Sequence, residues 1–129
     1  MSKRVFSFEF FPPQTPEGVE KLAAARKRLA PLKPEFFSVT FGAGGSTQER
    51  TLETVRQIKA EGYSAAPHIS CIGSTRENIR SMLDTYKDMG IKRIVALRGD
   101  LPSGMATTGE FQYANELVSF IRAQTGDHF

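Results

Sequence analysis

The chain has 129 residues, 40% of them hydrophobic, with a formal net charge of +3 and one cysteine, which suits a single soluble globular domain. Its basic residues are spread along the predicted helices, and its ten Phe fall mostly in strand patterns with no Trp beside them, so nucleic acid is not expected as a partner. Cys71 cannot close an internal disulfide, no apolar run approaches membrane-spanning length, and Met1-Ser2-Lys3-Arg4 does not open a signal peptide, so a cytoplasmic location away from membranes is expected.

Phe6-Ser7-Phe8-Glu9-Phe10-Phe11 before Pro12-Pro13 reads as a strand ending at Phe11. Alternation puts Phe6, Phe8 and Phe10 on one face and Ser7, Glu9 and Phe11 on the other, so the carboxylate points somewhere particular. Thr15-Pro16-Glu17 then supplies an N-cap, a proline at the first helical position and an acid in the first turn. In that helix Val19, Leu22, Ala23, Arg26 and Leu29 follow three-and-four spacing, with Arg26 breaking the apolar stripe, and Pro31 and Pro34 stop it. A second strand over Glu35 to Thr40 breaks into Phe41-Gly42-Ala43-Gly44-Gly45. Ser46-Thr47-Gln48-Glu49 forms a capping box for a second helix, whose Leu52, Val55 and Ile58 face inward and whose end is marked by Gly62.

Ala65 to Cys71 is the third strand, with His68 near its carboxyl end, and Ser74-Thr75-Arg76-Glu77 is a second capping box. The third helix has the cleanest stripe, Ile79, Met82, Leu83, Tyr86 and Met89, closed by Gly90. A fourth strand, Arg93 to Leu97, runs into Arg98-Gly99-Asp100-Leu101-Pro102. A polar loop leads to about Gly109, and a fourth helix carries Ala114, Leu117, Val118 and Ile121; Gly126-Asp127-His128-Phe129 reads as a turn. This is an α/β chain, a parallel (β/α) repeat of four units, half of a (β/α)8 barrel of the TIM type, which typically needs about 250 residues. Residues 1–129 are thus read as the N-terminal half of such a catalytic domain, whose open sheet edges are expected to be covered by a second copy or another chain.

Glu9, Thr40, His68 and Asp100 all lie at or near the carboxyl ends of predicted strands, where a parallel barrel builds its active site. Each has a bland alternative. The Gly42 to Gly45 turn can simply open a helix, a lone histidine is commonly a bonded interior residue, and His68 with one distant cysteine has no metal-site spacing, so no structural zinc is expected. Cys71 reads as a packed thiol, and Met82 and Met89 as core. Arg98-Gly99-Asp100 directly follows a buried strand, which argues against an integrin-binding tripeptide.

Four blocks in order, Ser7-Phe8-Glu9-Phe10-Phe11-Pro12-Pro13, Ser38-Val39-Thr40-Phe41-Gly42-Ala43-Gly44-Gly45, Pro67-His68-Ile69-Ser70-Cys71 and Ala96-Leu97-Arg98-Gly99-Asp100-Leu101-Pro102, resemble those of the methylenetetrahydrofolate reductase family. The resemblance covers essentially the whole chain and corresponds to the first half of that family's catalytic barrel. It implies an FAD-dependent oxidoreductase of one-carbon metabolism and methionine biosynthesis. In such an enzyme NADH or NADPH reduces the flavin, which passes hydride to 5,10-methylenetetrahydrofolate to give 5-methyltetrahydrofolate.

By the same resemblance Glu9 corresponds to the general acid that assists opening of the folate's imidazolidine ring, and its aromatic surroundings are expected to favour the protonated carboxyl. Asp100 corresponds to the acid beside flavin and pterin, where it would stabilise a cationic iminium and temper the flavin's potential. Both would touch substrate. Thr40, Phe41, His68, Arg98, Gly99 and Asp100 correspond to flavin contacts, as do Tyr113 and Ala114 on the fourth helix. Two other readings remain open. One is a catalytically inactive half-barrel acting as an assembly module. The other is a cofactor-free lyase, which would need a Schiff-base lysine at a strand end, and no predicted strand end offers one.

Overall fold

A computed structural model describes residues 4–41, 45–72, 74–99 and 109–129, with backbone alone at 45–48. Strands and helices alternate: β1 (Ser7–Phe10), α1 (Pro16–Leu29), β2 (Phe36–Val39), α2 (Gly45–Ala60), β3 (Ala65–Ser70), α3 (Arg76–Asp88), β4 (Val95–Leu97) and α4 (Ala114–Thr125). The strands are parallel and ordered β1-β2-β3-β4, the four βα repeats read from the sequence. Within β3 the chain divides into two compact units, one ending at Pro67 and the other starting at His68. Among the described residues no helix is long and apolar enough to cross a membrane.

In the first unit β1 pairs with β2 from Ser7↔Phe36 to Phe10↔Val39, and β2 pairs with the opening residues of β3 from Phe37↔Ala65 to Val39↔Pro67. One face of this ladder is aromatic: the Phe37 ring stacks with Phe10 at 5.3 Å and Phe8 at 6.3 Å and meets Tyr63 edge-on at 5.5 Å. Phe37, Val39, Val55 and Ile58 are buried, while Leu52 is only half-buried. β1 ends one residue earlier than expected, and Phe11 beyond it is 79% exposed.

Helix α1 starts as its residues dictate, with Thr15 Oγ1 accepting from the Gly18 amide at 3.0 Å and Pro16 in the first turn. Arg26, the one polar residue in the stripe, is fully buried, its Nε and Nη2 donating to Glu61 Oε1 and Oε2 at 2.9 and 2.7 Å. The helix gives way to a 3-10 turn over Ala30–Leu32 that ends on Lys33 at φ 56°, so Pro31 tightens the end before Pro34 closes it. The capping box expected to open α2 at Ser46 lies outside the described side chains.

In the second unit the last residues of β3 pair with β4 from His68↔Val95 to Ser70↔Leu97. Ile79, Met82, Leu83 and Tyr86 form the buried stripe of α3, as their spacing predicts. Its cap differs by one residue: Thr75 takes the N-cap position and accepts from the Asn78 amide at 3.1 Å, while the Arg76 amide donates to Glu110 Oε2 at 2.6 Å. β4 is two residues shorter at its start than expected. On α4 Leu117 and Ile121 are buried, but Val118 is 45% exposed, so the packed stripe is narrower than the apolar pattern.

Candidate functional site

Glu9 sits third in β1, opposite Ser38 of β2, and its side chain is exposed. Phe8 and Phe10, its neighbours in sequence, point to the other face and stack on Phe37. The aromatic run therefore does not shield this carboxylate, contrary to the expectation drawn from composition: alternation separates what the sequence places side by side.

Thr40 follows the last residue of β2, and its backbone is held on both sides. Its amide donates to Phe10 O at 2.9 Å, and its carbonyl accepts from Thr51 Oγ1 at 2.8 Å. That second bond explains why Thr51 is fully buried on α2, where a hydroxyl without a partner would be costly. Thr40 and Phe41 are both half-buried. Gly42, Ala43 and Gly44 lie outside the described residues, as does Asp100.

In the second unit His68 is buried in β3, 7% exposed, opposite Val95. Past the strand ends the ladder continues, with Cys71 N donating to Leu97 O at 3.1 Å and Ile72 N to Arg98 O at 2.9 Å. Ser70 Oγ also donates to Arg98 O at 2.9 Å. Gly99 turns away at φ 82°, and a Cβ there would lie 2.2 Å from Ser70 Oγ and 2.8 Å from Ile72 Cγ2. The position demands glycine on both counts. Cys71 is fully buried, and burial pushes its thiol above the ordinary value, in keeping with a packed rather than reactive cysteine.

Arg98 is exposed, and its Nε donates to Gln112 O at 2.8 Å, which brings the end of β4 to the segment that opens α4. Tyr113, the N-cap residue, is 60% exposed, and Ala114 begins the helix half-buried. Glu116 Oε1 accepts from the amides of both Tyr113 and Gln112, at 3.0 and 3.1 Å. Arg98, Gly99, Tyr113 and Ala114 are thus gathered at the carboxyl end of β4 and the amino end of α4, as Glu9 and Thr40 are at the ends of neighbouring strands in the first unit.

Sequence reasoning passed over Ser70, Gln112 and Glu116. A glutamate three residues into a helix is a capping signal, but it is sought behind Ser, Thr, Asp or Asn, and here Tyr113 stands at the cap. Phe111, 1% exposed, lies between the polar loop and α4; its ring packs edge-on against Phe120 at 5.5 Å with the Arg76 guanidinium 5.5 Å from its centroid. Among the described residues no cluster of three His, Cys, Asp or Glu offers a metal site.

The family model for methylenetetrahydrofolate reductase matches residues 1–129. The 5,10-methylenetetrahydrofolate reductase of Pectobacterium carotovorum subsp. carotovorum is 44% identical over 122 residues, covering 94% of this chain and 40% of the relative. That of Escherichia coli (strain K12) is 44% identical over 117 residues, covering 90% of this chain and 39% of the relative. A Zea mays protein named methylenetetrahydrofolate reductase (NADH) 1 is 40% identical over 132 residues, covering 98% of this chain and 22% of its own length. The chain therefore spans about 40% of the length of the bacterial relatives it matches.

Proposed function

This chain belongs to the methylenetetrahydrofolate reductase family, and on that premise we propose that each of its two units supplies residues for binding FAD in an enzyme that reduces 5,10-methylenetetrahydrofolate to 5-methyltetrahydrofolate. The observation that carries the reading is the placement of Thr40 and Arg98 immediately after β2 and β4, with Glu9 one residue short of the end of β1. In parallel barrels those positions hold catalytic and binding groups.

The donor set suits a flavin dinucleotide. Arg98 spends Nε on Gln112 O, and its two Nη nitrogens have no partner among the described residues, leaving a charged fork for a phosphate or an electron-rich ring edge. Thr40 offers a hydroxyl at a strand end whose backbone is fixed, and His68 a buried imidazole. Bound FAD would supply the hydride relay from NADH or NADPH to the folate.

Glu9 is the proton donor in this reading. It gives a proton to the imidazolidine ring nitrogen as the ring opens, and a substrate lying over the exposed carboxyl excludes the water that would stabilise its anion. Asp100 is assigned, by the family's pattern, the stabilisation of the resulting cation by its negative charge.

Reconstitution of a protein carrying the complete barrel with excess FAD, followed by desalting and a visible spectrum, tests the assignment. Stoichiometric flavin together with folate-dependent oxidation of NADH or NADPH is expected; folded protein that retains no flavin would overturn it. We also propose that the protein is a homo-oligomer, the usual state of a symmetric soluble assembly. A monomeric mass in solution would exclude it.

A further inference from the structure

We propose that Glu116 is a positioning residue that sets the direction of the Arg98 guanidinium toward the anionic part of its ligand, a role that rests on the cofactor reading of Arg98 given above. Two of the bonds involved belong to one peptide unit. The Tyr113 amide, which donates to Glu116 Oε1 at 3.0 Å, and the Gln112 carbonyl, which accepts from Arg98 Nε at 2.8 Å, are the two ends of the Gln112–Tyr113 peptide. A trans peptide is planar with N–H and C=O pointing oppositely, so a carboxylate that fixes the first fixes the second.

Glu116 also accepts from the Gln112 amide at 3.1 Å, which restrains the preceding peptide and removes the freedom of the Gln112–Tyr113 plane to rotate. Upstream, Phe111 is buried and Glu110 holds the Arg76 amide at 2.6 Å and its guanidinium at 3.7 Å, so the segment is anchored before it reaches Gln112. The negative charge at one end of the peptide further strengthens its carbonyl as an acceptor. With Nε committed to that carbonyl, the plane of the Arg98 fork is defined and its Nη nitrogens remain for the ligand.

The test measures FAD dissociation constants, by quenching of flavin fluorescence, in a protein carrying the complete barrel. Glu116→Ala is expected to weaken FAD binding about tenfold, the loss that follows when one charged hydrogen-bond partner is removed. Glu116→Gln, which keeps an acceptor oxygen, is expected to restore most of the affinity. Thr15→Ala removes a cap from α1 and controls for helix stability alone: it should lower the melting temperature without changing the FAD constant. In the Arg98→Ala background Glu116→Ala should have no further effect on FAD affinity.

If Arg98→Ala itself leaves the FAD constant unchanged, the cofactor reading of Arg98 fails and the proposal with it. If Arg98→Ala weakens binding but Glu116→Ala does not, or the two losses add, the positioning role alone is overturned. Should Glu116→Ala fail to fold, Glu116→Asp serves instead. Its shorter side chain cannot reach both amides, and wild-type affinity in that variant would equally overturn the role.

Discussion

Arg26 of α1 is fully buried and grips Glu61, just beyond the end of α2, through two hydrogen bonds of 2.9 and 2.7 Å. The pair ties the two helices of the first unit together, and Arg26 Nη1 is buried with no partner among the described residues. Removing the acid strands a buried cation, whereas replacing the cation with an apolar side chain of similar length removes the need for the acid. Glu61→Ala is therefore expected to cost about 3 kcal/mol and Arg26→Met close to nothing, as read from urea unfolding midpoints. Equal losses in the two variants would show that the tie itself, and not the stranded charge, is what matters.

The Tyr86 hydroxyl is pushed up from 10.0 to about 12 by burial. Its contribution to stability is complete below pH 10 and falls away as pH rises toward 12, because the unfolded chain ionises first. Over that window the folded state should lose about 2 to 3 kcal/mol, and Tyr86→Phe should flatten the slope. An unchanged alkaline limb in Tyr86→Phe would assign the loss to other groups.

Gly99→Ala meets two obstacles, a backbone at φ 82° and a Cβ 2.2 Å from Ser70 Oγ. A loss of about 2 to 3 kcal/mol is expected. Ser70→Gly in the same chain should recover only part of the steric share, because Ile72 Cγ2 lies 2.8 Å from the same Cβ, and none of the backbone share. Full recovery would mean the left-handed conformation carries no cost here.

Glu9→Gln, in a protein with the complete barrel, should leave flavin reduction by the nicotinamide nearly intact and abolish reduction of the folate. Stopped-flow measurement of the two half-reactions separates these effects, and equal loss of both would remove Glu9 from the acid role. If Asp100 has the proposed role beside the flavin, Asp100→Asn should slow folate turnover and raise the flavin potential, since a negative charge near the ring opposes its reduction; an unchanged potential would remove Asp100 from that role.

Much of the architecture was legible because each element is written in local chemistry. Thr15-Pro16 opens α1, the stripe from Ile79 to Tyr86 buries α3, and Gly62 and Gly90 adopt the positive φ expected beyond helix ends. What the sequence conceals depends on partners far along the chain. Arg26 looks like a flaw in an apolar stripe until Glu61 is placed against it, and Glu116 looks like a surface acid until the Gln112–Tyr113 peptide turns toward it. The candidate site shows the same division. Thr40 and Arg98 fall at strand ends as periodicity requires, while Glu9, for which aromatic surroundings are expected from its neighbours in sequence, is exposed on the face opposite Phe8 and Phe10.

All six residues of β3 are buried, yet the strand belongs to two ladders, its first three positions paired with β2 and its last three with β4. Amide hydrogen exchange along this one strand should therefore register two opening events. Ala65 and Ala66 exchange when the first unit opens, and His68, Ile69 and Ser70 when the second does. Pro67, which has no amide proton, leaves a gap in the exchange record at the boundary between them.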